Sequence, residues 1–280
     1  MMSPALFLLA AISFIPLFMM IWMSLSKVGL IGGLSFSFIG LENWRHLFGD
    51  PQIGSSWILS IIYFAATVGI ELVLGTAMAL LIHSMIRARN LVLSLVLIPM
   101  FIAPVIVGLL GRFLLNSGFG LYTWVLSVLG LYDGNILGSV GPALVAVIGM
   151  NVWEWSPLIA LIVLAGLTAV PNDILEAAEV DGASYWRKLV SIVVPSILPI
   201  LLVALLIRSM DAIRFFAIIL ITTNGGPADS TKIIPIRLYD IAFRFFNLGY
   251  AAAVGLTMLV FSIIIANIFV QVFKRRQATL

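Results

Sequence analysis

Three charged residues recur at every third position inside an apolar stretch: Arg208, Asp211 and Arg214. On a helix such spacing places neighbours on one face, within reach of an ion pair. A charged side chain at the centre of a lipid-embedded helix costs about 2.5–3.5 kcal/mol even on the lenient scale, so each needs a partner or a task. If the stretch Pro199–Thr222 is one span, Asp211 lies near its midpoint, the depth at which transporters hold solutes. Two readings stand: a lining for a solute path, or an internal Arg–Asp–Arg network that packs against a partner subunit and touches no solute. Glu154 lies between Trp153 and Trp155, with Asn151 one turn earlier. A carboxylate that accepts hydroxyl hydrogen bonds, beside aromatic faces that stack on C–H groups, suits a polyhydroxylated solute. The same residues would also serve as an aromatic packing cluster. Glu71 has Gly69 and Gly75 nearby, which imply close helix packing and a buried pair with an arginine.

Other chemistries are excluded by residue type. Without cysteine there is no disulfide, thiolate metal site or cysteine nucleophile. His46 and His83 are too far apart in sequence to suggest a metal site. The chain has no His-Glu-x-x-His, no Gly-x-Ser-x-Gly and no Gly-x-x-x-x-Gly-Lys-Ser/Thr phosphate loop. No catalytic residue, metal ligand or cofactor of its own is therefore expected, and ATP hydrolysis by the usual route is not open to it.

The elements that must position these residues follow from composition. Of 280 residues, 62% are hydrophobic and 10% are charged. Soluble domains hold roughly 45–50% apolar residues and about 25% charged ones, so this chain lies far outside their range. The expected fold class is all-α: one polytopic membrane domain over residues 1–280. Six stretches reach the roughly 20 apolar residues needed to cross a bilayer. They are Pro4–Leu25, Trp57–His83, Leu91–Leu115, Pro142–Leu167, Pro199–Thr222 and Leu248–Phe273. The first has no basic region before it and is too long for a signal-peptide core, so it is kept as a span. An even number of spans puts both termini on one side. Arg87 and Arg89, Arg187 and Lys188, and Lys274-Arg275-Arg276 fall in short loops or at the end of the chain on that side, which predicts cytoplasmic termini. The formal charge of +3 is thereby explained by orientation, and no nucleic-acid partner is implied.

Between the fourth and fifth spans, the loop of about residues 170–195 has structure written into it. Asp173 and Glu176 have capping-box spacing, and Gly182 stands where a short helix would end. Ser184 can cap a second helix running to Pro195. Ala177 and Ala178 allow close approach of a partner surface, and a two-turn helix is only marginally stable alone. The loop reads as a docking element.

Glu176-Ala177-Ala178, Gly182, Ile192, Val194 and Pro195 at their spacing resemble the signature loop of ABC importer permeases, with valine at 194 where leucine is usual. The resemblance implies a coupling helix that seats in a cytosolic ATPase, with contact residues Glu176, Ala177, Ala178, Asp181, Gly182 and Ala183. A second set is similar to maltose-type carbohydrate permeases, specifically the first of their two permease subunits. It comprises Asp181-Gly182-Ala183, Pro195 and Pro199, Thr223-Asn224-Gly225-Gly226-Pro227, Phe246-Asn247-Leu248-Gly249-Tyr250-Ala251 and the earlier Gly40-Leu41-Glu42-Asn43-Trp44. That likeness implies a bacterial-type plasma (inner) membrane location and import of a carbohydrate, polyol or related solute. The implied partners are a second permease subunit, two ATPase subunits that bind ATP and magnesium, and an extracytoplasmic solute-binding protein. The family's solute-contacting positions fall on Arg208, Ala212 and Phe215, where alanine and phenylalanine replace amides. With Asp211, Asn151, Trp153 and Glu154 these form the candidate substrate pathway. The alternative, an ion-coupled secondary transporter, would use the same carboxylates but predicts inverted repeats and broken helices. Neither is visible in the sequence.

Overall fold

The computed structural model describes residues 3–30 and 32–277. Its elements are helix α1 (Ser3–Ser24), a hairpin of β1 (Ser26–Gly29) and β2 (Ser35–Phe38), and helices α2 (Glu42–Gly49), α3 (Pro51–Ser84), α4 (Arg89–Leu97), α5 (Pro104–Leu114) and α6 (Leu121–Val128). There follow α7 (Val140–Leu167), α8 (Asn172–Val180), α9 (Tyr185–Lys188), α10 (Val194–Ala212), α11 (Ala217–Thr222), α12 (Ile234–Tyr239) and α13 (Leu248–Gln277). The fold is all-α apart from the hairpin, whose register pairs Ser26 with Phe38 and Gly29 with Ser35. Arg275 and Arg276, used above for orientation, have side chains outside the described set.

Among the described residues, five segments are long and apolar enough to cross a membrane: Ala5–Ser24, Pro51–Ser84, Val140–Leu167, Tyr185–Thr222 and Leu248–Val272. The sixth differs from the straight helix expected over Leu91–Leu115. It is a pair, Arg89–Phe101 and Pro104–Leu114, bent by 92°. Pro104 supplies the reason, because the residue before a proline is pushed out of the helical region. Ala103 accordingly takes φ −61°, ψ 136° and Ile102 φ −82°, ψ 131°.

The fifth span also departs from expectation, at both ends. Its helix begins at Tyr185 rather than Pro199, so the second helix of the loop does not stop at Pro195 but continues into the membrane. A π-helical turn over Leu189–Val193, closed by the Val194 N–H on the Leu189 carbonyl, widens the helix just ahead of Pro195. The wider turn accommodates a residue that lacks an N–H and crowds the preceding turn. Further along, α10 ends at Ala212 and α11 starts at Ala217, leaving 213–216 non-helical. No glycine or proline marks this break. Packing sets it: Phe215 turns into a buried cluster with Val107 and Ile218 and packs edge-to-face with Trp155, their ring centroids 6.3 Å apart.

Two compact units divide the chain: the stretch up to Ile61 with Lys232–Ile264, and Ile62–Thr231 with the stretch from Ile265. In the first, Leu47, Ile53, Ile234, Tyr250 and Val254 share a core. Polar ties secure its loops: Asn43 Nδ2 donates to the carbonyls of Ser24 and Ser26 at 2.9 and 3.1 Å, Arg237 donates to Ser56 and Gln52, and Tyr250 Oη donates to Asp50 at 2.9 Å. In the second, helices approach through glycines. A Cβ at Gly75 would stand 2.6 Å from the Ile159 side chain, and one at Gly166 would stand 2.9 Å from Ile200. Gly108 lets α5 lie against α11, where Thr222 Oγ1 donates to its carbonyl at 3.2 Å.

Candidate functional site

Two places carry the features singled out in the sequence, the loop around α8 and a polar cluster built on α3, α7 and α10.

In the loop, α8 ends in the six-residue bonding pattern that a left-handed glycine permits. Gly182 has φ +73°, its N–H donates to the Glu179 carbonyl at 3.0 Å, and the Ala183 N–H donates to the Ala178 carbonyl at 2.9 Å. Both bonds of a Schellman motif are therefore present. Ser184 then caps α9, its Oγ accepting from the Arg187 N–H at 3.4 Å, and Lys188 pairs with Glu179 to tie the two helices together. The expected capping box at the start of α8 does not form. Pro171, which has no capping side chain, occupies the N-cap, and Asp173 lies in the first turn, where its charge meets the positive helix end. Of the candidate contacts, Glu176, Ala177, Asp181 and Gly182 are exposed, and Ala178 and Ala183 half-buried. Val180 and Trp186, 89% and 70% exposed, put apolar surface on the same loop.

In the membrane-embedded cluster, the arginine expected to pair with Glu71 is Arg208. Its Nε and Nη2 bond the two oxygens of Glu71 at 2.6 and 2.9 Å, the bidentate fork that makes arginine–carboxylate pairs strong. The Nη2 group also donates to Asn151 Oδ1 at 2.6 Å, and Nη1 donates to Asp211 Oδ2 at 2.7 Å. The Trp155 ring covers the guanidinium at 4.8 Å. Arg208, Glu71 and Glu154 are fully buried, whereas the Asp211 side chain is 43% exposed.

Arg214 does not complete the Arg–Asp–Arg face. The break after Ala212 takes it off the helix, and it is exposed with Nε donating to the Met210 carbonyl at 3.3 Å. Ala212 and Phe215 are buried within the chain. Asn151 and Glu154 lie in the cluster, while Trp153, one residue from Glu154, falls on another face of α7. There it lines an apolar cavity of about 750 Å³ with Met150, Gly111, Tyr122 and Tyr132. The tryptophan that joins the charges is Trp155. Tyr63, on α3, is the member that sequence reasoning missed. It is buried, with Arg208, Glu71 and Glu154 in electrostatic reach. Its hydroxyl, the Glu154 oxygens, the Trp155 N–H and Asn151 Nδ2 have no hydrogen-bond partner among the described residues. Only its position two helical turns before Glu71 hinted at this.

The family described as "Binding-protein-dependent transport system inner membrane component" matches residues 71–279, three quarters of the chain. The chain belongs to this family. The permease is 34% identical over 230 residues to the trehalose/maltose transport system permease protein MalF of Thermococcus litoralis, covering 82% of this chain and 77% of that one. It is 34% identical over 273 residues to the trehalose transport system permease protein SugA of Mycobacterium tuberculosis, covering 98% and 87%. In fold it resembles a chain of a bacterial alginate ABC transporter solved with an alginate pentasaccharide-bound periplasmic protein, with TM-score 0.83, 21% identity, and 96% and 91% of the two chains covered. The permease is thus the transmembrane subunit of an ABC importer, a multi-pass and non-catalytic component. The family match and the relatives favour the importer over the secondary-transporter alternative.

Proposed function

We propose that this permease forms half of the path for a carbohydrate, polyol or related solute. A second permease subunit supplies the other half, and an extracytoplasmic binding protein delivers the solute. Two cytosolic ATPase subunits, holding ATP and magnesium, drive the cycle, and this chain contributes no cofactor. The observation that carries the reading is the loop: a glycine-terminated helix with exposed Glu176, Ala177 and Asp181, tied by Glu179–Lys188 to a helix continuous with the span that carries Arg208 and Asp211. Closure of an ATPase around α8 is transmitted along that rigid connection to mid-membrane. Arg208, Asn151, Glu154, Ala212 and Phe215 shape the wall, Trp153 faces the apolar cavity beside it, and Asp211 presents the polar contact. Both termini lie in the cytoplasm.

The test is ATP-dependent uptake of trehalose, maltose and glycerol by proteoliposomes containing the permease with its copurified partners. Uptake that needs ATP hydrolysis and survives an uncoupler is expected. Uptake that persists without the ATPase and collapses with the uncoupler would overturn the proposal.

A further inference from the structure

We propose that Asp211, held in place by Arg208, accepts hydrogen bonds from hydroxyls of an uncharged polyhydroxylated solute, and that the cluster refuses anionic solutes. This rests on the carbohydrate reading above and narrows it.

Arg208 has little left to offer a solute. A guanidinium has five N–H donors. Four are used: one each on Glu71 Oε2, Glu71 Oε1, Asn151 Oδ1 and Asp211 Oδ2. The fifth is enclosed, since Arg208 has no exposed surface and Trp155 covers its face. The guanidinium is therefore a structural centre and not a docking point for a phosphate, sulfonate or carboxylate. Its charge is also matched inside the cluster, because Glu71 and Asp211 bond it directly.

What remains on offer is Asp211. One of its oxygens is fixed by Arg208, the other bonds no described residue, and the side chain is 43% exposed. A carboxylate accepts strongly from hydroxyls, giving short charge-assisted bonds. An anionic group on a solute brings no such donor and meets like charge at a depth where low dielectric strengthens the repulsion. Arg214, the exposed cation nearest in sequence, lies beyond the end of α10 and donates to the backbone of Met210. Asp211 is thus the specificity-determining residue and Arg208 its positioning residue.

Pairs that differ by one phosphate test this: trehalose against trehalose 6-phosphate, and glycerol against glycerol 3-phosphate. Thermal unfolding of the purified assembly without binding protein reports solute bound to the permease, because a ligand of the folded state raises the midpoint. The neutral member of a transported pair is expected to raise the midpoint, and its phosphorylated counterpart to need at least tenfold more. Asp211→Asn should lose the neutral response at unchanged assembly yield, Asp211→Glu should keep the charge preference, and Arg214→Gln should leave it unaltered. Equal or stronger stabilisation by the phosphorylated member, an unchanged response in Asp211→Asn, or loss of preference in Arg214→Gln would overturn the proposal. So would a transported solute that shifts nothing. Absence of ATP-driven uptake for every solute, whatever its charge, would instead sink the carbohydrate reading itself.

Discussion

At the scale of single residues, the Arg208–Glu71 fork governs stability as much as transport. Removing one partner of a buried ion pair leaves the other charge uncompensated and costs about 3–5 kcal/mol. Glu71→Ala is therefore expected to lower the yield and thermal midpoint of the detergent-solubilised subunit sharply. Glu71→Leu combined with Arg208→Met should recover much of that loss, since an apolar pair of similar volume avoids the desolvation cost. Equal losses in single and double variants would show that the fork is not the dominant tie. Asp211→Ala, by contrast, strips a partner from one arginine only, because Arg214 is exposed and bonded to Met210. It should reduce uptake more than stability. The sequence announced Glu71, Arg208 and Asp211 through the cost of a charge in lipid, a signal independent of tertiary detail. It could not place Arg214 or separate Trp153 from Trp155. Both depend on where a helix breaks or rotates, which hydropathy does not encode.

At the scale of elements, the α8–α9 connection was the most legible part, because glycine at a left-handed position and serine at a cap are local chemistry. Gly182 has φ +73° and open space around it, so Gly182→Ala strains the backbone without a clash. The expected outcome is an inserted, assembled subunit whose solute-stimulated ATPase activity falls several-fold. Glu176→Lys should uncouple the assembly more completely, by reversing an exposed charge on α8 while the fold stays intact. Normal uptake with ATPase copurifying at normal yield would refute the docking role of the loop. A second element-scale expectation concerns packing. Gly75→Val would drive side-chain atoms into Ile159 and the Ser156 carbonyl, and overpacking of this kind costs about 1–3 kcal/mol. Its thermal midpoint should drop, whereas Gly69→Ala, with nothing within 4 Å, should be tolerated. The length of the loop's second helix was not legible, because proline ordinarily stops a helix, and a π turn ahead of Pro195 removes that obstacle.

At the scale of the whole molecule, the apolar segments were legible from their length, and the bend in the third was not, although its cause was in view. Pro104 lies within a run of uninterrupted hydrophobicity, and a length criterion counts such a run without regard to its direction. Ala103 and Ile102 in extended conformation turn one apolar stretch into two helices at 92°. Orientation rests on basic residues in short loops, and the permease offers a clean way to check it because the natural chain has no cysteine. Single cysteines can replace Arg87, in the turn between α3 and α4, and Ser117, between α5 and α6, both of which are exposed. With both termini cytoplasmic, Arg87→Cys in intact cells should resist a membrane-impermeant maleimide and react only after the membrane is opened. Ser117→Cys should react from outside in intact cells. The reverse pattern would invert the topology and place α8 on the outside, where no cytosolic ATPase can reach it. Labelling of both sites from one side would show that the bent third segment re-enters on the side from which it came. An odd number of crossings would then put the termini on opposite sides. The pair of sites therefore tests orientation and the crossing of the broken span at once.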